Sequence, residues 1–335
     1  MSVDHLSYPS RSRGTSNSND PLNVLIFLVP GNPGLVGYYD PFLSVLRDHI
    51  DSNASLNTVN FHIYGQNLAG FTDKDHEPFT SSQKPYDLEF QIEHTLNALS
   101  SLRIDSGPRQ GQPYQHVLLI GHSVGAYIVL EICHRMLRDP SRAPGLKLAS
   151  GILLFPTIDH LANSSNGWKL NMLRQTPLLG NNAYRIAQGF MRLWPYDTLY
   201  WFVCKALGFP PHAAEVTTRW LKSRDGVWQS LHLGMDEIRV IGNDKWDDEL
   251  WEIAKDAKSH KTIIPKFYFF FGKRDHWVAD HYRDEFIKKR SKQVERTRLI
   301  VDDGKIPHAF CIEHSESVAE KVHGWIGEMY NASAG

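Results

Sequence analysis

The stretch "HVLLIGHSVGAYIVLEI" (116–132) constrains this chain most. A buried apolar run stops at Gly121, passes through His122-Ser123-Val124-Gly125, and turns at once into apolar residues at helical spacing. A strand can become a helix over so few residues only through a sharp bend, and such a bend needs neighbours without bulk. G-x-S-x-G at that junction lifts a serine hydroxyl above the end of a sheet. The glycines therefore either make a tight turn and nothing more, or they present Ser123 as a nucleophile.

Four other apolar runs read as strands: "NVLIFLVPG" (23–31), "SGILLFP" (150–156), "KFYFFFG" (266–272) and "TRLIVDD" (297–303). They are continuous rather than alternating, which suits parallel strands covered on both faces. Helical spacing recurs over 87–102, 124–138, 280–290 and 315–330. Strand and helix in alternation predict a mostly parallel, doubly wound α/β sheet. Residues 157–262 break the rhythm with no core strand and many aromatics, among them Trp168, Trp194, Tyr200, Trp201, Phe202, Phe209, Trp220 and Trp228. They predict a helical cap inserted into the sheet domain, whose core is then 21–156 and 263–335. A cap above the carboxyl ends of the strands would cover the place where such sheets bind ligands.

Serine is a weak nucleophile without a base. The chain order Ser…Asp…His asks for an acid after one late strand and a histidine after the next. Asp275 lies three residues past Gly272, and His308 falls in the loop between the last strand and the final helix. Among 17 histidines, His276, His281 and His314 compete for the base, and each fits a solvated position beside a helix. Asp302 and Asp303 compete for the acid, but they lie so close to His308 in sequence that a hydrogen-bonded approach is awkward. They are read instead as solubilising a strand end. His122 should point away from Ser123. The turn Gly31-Asn32-Pro33-Gly34 after the first strong strand either ends that strand or supplies an oxyanion donor. Pro33 has no N–H, so the donor would be Asn32, paired with the N–H of Val124 at the helix start.

Composition excludes other classes. A net charge of −1 offers no basic stripe for nucleic acid. There is no dinucleotide fingerprint or P-loop, and no cofactor is expected. Three scattered cysteines make no zinc spacing and fit a reducing compartment. Sequons at Asn53, Asn163 and Asn331 read as chance, because no secretory segment precedes them. Residues 1–20 are polar and read as a disordered leader, with 21–335 a single domain. No run reaches the roughly 18 apolar residues that span a bilayer. "LWPYDTLYWFVCKALGFPP" (193–211) could instead rest on a lipid surface with its lysine snorkelling. Trp194, Tyr200, Trp201, Phe202 and Phe209 would then face lipid or substrate, or would fill the cap, or both.

Together "PGNPGLVGYYDPF", "GHSVGAYIVLEI", "FYFFFGKRDHWV" and "IPHAFCIEHSESVA" resemble the lipid droplet-associated hydrolase family over about residues 22–330. The resemblance implies an α/β-hydrolase fold with nucleophile, acid and base at Ser123, Asp275 and His308. It further implies hydrolysis of neutral lipid esters (sterol esters first, triacylglycerols second) at the phospholipid monolayer of lipid droplets or the cytosolic face of the endoplasmic reticulum. Acyl transfer by the same residues, or a silent binding or tethering role on the same fold, are the alternatives.

Overall fold

The computed structural model describes residues 3–10, 21–176, 183–243, 245–246, 250, 266–291 and 297–331. In chain order its strands and α-helices are β1 (His5–Tyr8), β2 (Leu22–Val29), α1 (Asp40–Ser52), β3 (Val59–Gln66), α2 (Leu88–Ser101), β4 (His116–His122), α3 (Val124–Arg138) and β5 (Leu148–Leu154), followed by α4 (Ser165–Gln175), α5 (Ala183–Arg192), α6 (Tyr196–Lys205), α7 (Pro211–Lys222) and α8 (Gly226–Val240), and finally β6 (Lys266–Phe271), α9 (Asp280–Arg290), β7 (Thr297–Val301) and α10 (Ser315–Asn331). The strands form one sheet ordered β1-β3-β2-β4-β5-β6-β7. β1 runs antiparallel to β3, and the other pairings are parallel.

Burial on both faces explains the continuous apolar strands. Along β2, Val24, Ile26 and Leu28 pack with Phe42, Leu46, Val318 and Val322 from α1 and α10 on one face. Leu25, Phe27 and Val29 pack with Ile92, Leu96 and Ile128 from α2 and α3 on the other. At roughly 25 cal/mol per Å² of apolar surface, such two-sided burial is the main stabilising force. β3 follows a different pattern. Its residues alternate between buried and half-buried, because it lies near the sheet margin. A search for unbroken apolar runs passes over it.

The leader expectation needs correction at one point. His5–Tyr8 pairs with Gln66–Ile63 along the margin of β3, and Ser7 Oγ lies 2.8 Å from His62 Nε2. Asn67 ties the same segment down: its backbone N–H donates to Asp4 O at 2.9 Å, and its side chain donates to Val3 O at 3.0 Å. Leu6 and Tyr8 pack against the sheet core while His5 and Ser7 face outward, so a strand of four residues needs only two apolar side chains and is easily read as a polar leader. The rest of that expectation, residues 1–2 and 11–20, lies outside the described residues.

Between β5 and β6 the described chain is helical, α4 to α8. Leu199, Val203 and Ala214 make a small core of their own there, lined by Met191, Trp194, Tyr200, Cys204, Phe209 and Leu221. The last part of the expected cap, 251–262, lies outside the described residues.

Candidate active site

The chain leaves β2 through α1 to β3 on one side, then returns past β2 through α2 to β4 on the other. The carboxyl ends of β2 and β4 therefore lie side by side at the reversal of winding, where open α/β sheets hold ligands. The loop after β2 brings Gly31-Asn32-Pro33-Gly34, and the end of β4 brings Ser123. They touch: a Cβ on Gly31 would lie 2.9 Å from Ser123 Cβ.

Ser123 has φ 54° and ψ −124°, a left-handed conformation costly for a residue with a side chain. Its flanks explain how it is tolerated. A Cβ on Gly121 would meet Gly125 O at 2.5 Å, and one on Gly125 would meet Val29 O at 2.2 Å. Larger residues at either place would push the bend open. α3 begins immediately afterwards, so its unpaired first amides and positive dipole end face the serine.

His308 Nε2 lies 2.9 Å from Ser123 Oγ, and His308 Nδ1 lies 2.7 Å from Asp275 Oδ2. The second carboxylate oxygen, Oδ1, accepts the Trp277 N–H at 2.8 Å. Asp275 is held from both sides, and its side chain is only 2 % exposed. Its loop is braced by Arg283 of α9, whose Nη1 donates to Gly272 O at 3.1 Å and Lys273 O at 3.0 Å. A hydroxyl, an imidazole and a buried carboxylate in this order can move a proton off the hydroxyl and hold it on the ring.

The competing residues lie elsewhere. His276 and His281 are exposed and His314 half-buried. Asp303 is exposed and pairs with Lys305 at 2.7 Å. Asp302 is not a solubilising strand end: it is buried. Its Oδ2 accepts the N–H groups of Gly304, Lys305 and Ile306 at 2.8, 2.8 and 3.0 Å. It shapes the turn that leads to His308.

The expected amide donors stand at the same corner. Val124 is the first residue of α3, so its N–H has no intrahelical acceptor. The Asn32 N–H makes no hydrogen bond among the described residues. The side chain of Asn32 shows what sequence reasoning missed. Its Nδ2 donates to Ser230 O and to Glu237 Oε1, each at 3.0 Å. Gly234 lies between them on α8, where a Cβ would come 3.4 Å from that Nδ2. Burial pushes the Glu237 carboxyl up to about 8, against the opposing hydrogen bond from Asn32. These partners are about two hundred residues from Asn32, with no local signal to find them.

Of the five cap aromatics, Trp194, Tyr200 and Phe209 pack against the small cap core. Trp201 and Phe202 are exposed instead. Away from this corner, Asp73, His76 and Asp225 bring three ligating atoms within 4.8 Å of one another. Their carboxylates are already engaged: Arg224 Nε donates to Asp225 at 2.7 Å and the Arg224 N–H to Asp73 at 2.6 Å. The cluster is explained as a braced turn.

The sequence profile of the family described as "Lipid-droplet associated hydrolase" matches residues 22–311. Lipid droplet-associated hydrolase of Rattus norvegicus is 29% identical over 315 residues, covering 90% of this chain and 84% of that protein. The Homo sapiens protein of that name is 27% identical over 313 residues, covering 89% and 83%. A bromoperoxidase from Bacillus anthracis superposes with a TM-score of 0.55 at 10% identity, covering 96% of this chain and 94% of that one. A carboxylesterase structure from Nitrososphaera gargenis gives 0.54 at 14%, covering 97% and 94%. These two likenesses speak for the fold. On fold and sequence together, the chain belongs to the lipid-droplet associated hydrolase family and is a hydrolase with the α/β-hydrolase fold.

Proposed function

We propose that this hydrolase cleaves neutral lipid esters, sterol esters foremost, at the surface of lipid droplets. Ser123 Oγ attacks the ester carbonyl while His308 Nε2 takes its proton. The N–H groups of Asn32 and Val124 hold the developing oxyanion. Collapse of that intermediate breaks the ester C–O bond, and His308 returns the proton to the departing alcohol, leaving an acyl-Ser123. Water, deprotonated by His308, attacks the acyl-enzyme and releases the acid. Asp275 holds the imidazole in the tautomer with its proton on Nδ1. The observation that carries this is the continuous pair of contacts, 2.9 Å from Ser123 Oγ to His308 and 2.7 Å from His308 to Asp275.

A fluorophosphonate probe tests it. Wild-type protein in detergent micelles is expected to label at one site, and Ser123→Ala is expected to abolish both labelling and ester hydrolysis. Folded wild-type protein that resists labelling would support a silent binding role instead. Labelled acyl donor supplied with sterol separates hydrolysis from acyl transfer by product, and a triacylglycerol in the same panel ranks the two ester classes.

The lipid surface has its own support. Among the described residues no helix is long and apolar enough to cross a membrane. The cap nonetheless exposes Trp168, Met172, Ile186, Phe190, Leu193 and Trp201, with Leu193 80 % exposed. A droplet monolayer admits side chains of this kind to a shallow depth without a spanning segment. Trp201→Asp combined with Phe202→Asp is expected to remove about 3 kcal/mol of apolar burial, on the order of a hundredfold in partitioning. Flotation with triolein droplets coated in phosphatidylcholine measures it, with the melting temperature as control. Undiminished flotation would move the docking surface elsewhere.

A further inference from the structure

Resting on that mechanism, we infer that Tyr39 and His122 are positioning residues that wire the oxyanion loop to the backbone of the base, through one chain of hydrogen bonds with a single possible direction. His122 Nε2 lies 2.9 Å from His308 O. A carbonyl oxygen only accepts, so this nitrogen carries the ring proton. His122 is buried, and that burial, with His308 beside it, pushes its imidazole down to about 3. The ring is therefore neutral through the ordinary pH range and has just one N–H. Its Nδ1 is then a bare acceptor, and Tyr39 Oη, 2.6 Å away, donates to it. Tyr39 has one hydroxyl proton and has spent it, so its oxygen accepts the N–H of Gly31 at 2.9 Å. Every proton in the series is fixed: Gly31 N–H to Tyr39, Tyr39 O–H to His122, His122 Nε2–H to His308 C=O.

Hydrogen bonds aligned in one direction polarise one another, more so in a dry interior. The surroundings are dry: Phe310 packs edge-on to the His122 ring at 5.1 Å and Phe155 at 6.2 Å. The ends of the chain are the two parts whose relative placement decides the reaction. Gly31 precedes the proposed oxyanion donor Asn32, and His308 carries the proposed base. The middle is the residue immediately before Ser123. The loop after β2, the end of β4 and the loop after β7 are thus held in register by buried groups. The histidine of G-H-S-V-G has a positioning task, which the sequence reading did not give it.

Two measurements test this. In protein with ¹⁵N-labelled histidine, the His122 ring is expected to be neutral with its proton on Nε2 throughout pH 6–9. A proton on Nδ1, or a ring that titrates in that interval, would overturn the wiring whether or not the protein hydrolyses esters. The second uses kinetics per fluorophosphonate-titrated site with a short-chain p-nitrophenyl ester. Tyr39→Phe and His122→Phe are expected to lower kcat by about tenfold to a hundredfold, the scale of a small misplacement of reacting groups, with KM changed less than about twofold. His122→Gln, whose amide N–H can reach the His308 carbonyl, is expected to recover most of the loss. A kcat per site equal to wild type in Tyr39→Phe, or no recovery with glutamine beside a folded His122→Phe, would overturn the positioning role. If His122→Phe fails to fold, Tyr39→Phe, which loses a single oxygen, decides alone. A wild-type protein that neither labels nor hydrolyses would instead count against the proposed function, and the tautomer would still be read independently.

Discussion

Asp275→Asn is expected to lower kcat for ester hydrolysis by about 10³- to 10⁴-fold, the loss a misoriented imidazole produces in serine hydrolases generally. The surroundings of Asp275 say which way the new amide must face. Oδ1 accepts the Trp277 N–H at 2.8 Å, so an asparagine keeps its oxygen there and turns its NH₂ toward His308. That NH₂ can only donate, which strips the proton from His308 Nδ1 and leaves it on Nε2, facing Ser123. A ring in that tautomer has no lone pair for the serine proton. Stopped-flow or steady-state turnover of a soluble ester measures the effect, with circular dichroism to show an intact fold. A rate within about tenfold of wild type would mean that another carboxylate serves His308. Asp302 is a poor substitute, because one of its oxygens already accepts three amides.

Gly125→Ala is expected to be severely destabilising for a single added methyl group. Its Cβ would lie 2.2 Å from Val29 O and 2.7 Å from Pro30 O. Both are backbone atoms, so no side chain can rotate aside. Helix α3 would have to lift off β2, opening the corner that holds Ser123 and Asn32. Overpacking that displaces backbone costs roughly 3 kcal/mol or more, seen as a fall in melting temperature and in the fraction that labels with fluorophosphonate. Gly189→Ala serves as the control. Nothing lies within 4 Å of a Cβ there, and Gly189 sits inside helix α5. The same change there should stabilise by about 0.5–1 kcal/mol, the helix propensity difference. Equal and small effects at both positions would contradict the packing described at the bend.

The parts legible in the sequence were those with local signals. Ser123, Asp275 and His308 each follow a strong apolar strand, and the structure brings their side chains within hydrogen-bond distance. The parallel sheet announced itself through strands apolar on both faces. β1 and β3 did not, because their apolar residues alternate with polar ones such as Ser7 and His62 instead of running on unbroken. That helices interrupt the run of strands after β5 was readable, but the facing of their aromatics was not. Trp194 and Trp201 lie in one aromatic-rich run, yet one packs on the cap core and the other is exposed. Glu237, Ser230 and Gly234 were invisible as partners of Asn32, since only the tertiary fold brings α8 to the loop after β2.

That attachment of α8 has a consequence for where room for a substrate can come from. Besides gripping Asn32, α8 exchanges two hydrogen bonds between Gln229 and the backbone of Tyr86, at 2.8 and 2.9 Å, and Asp236 takes the Leu88 N–H at 3.0 Å. Dragging α8 outward would strand several buried polar groups at once, each costing about 1–3 kcal/mol. Helices α4, α5 and α6 turn large apolar side chains to the outside, among them Trp168, Phe190 and Trp201. Under the proposed function, α8 is then a fixed wall beside the oxyanion loop, and any widening of the cap for a long acyl chain has to come from elsewhere.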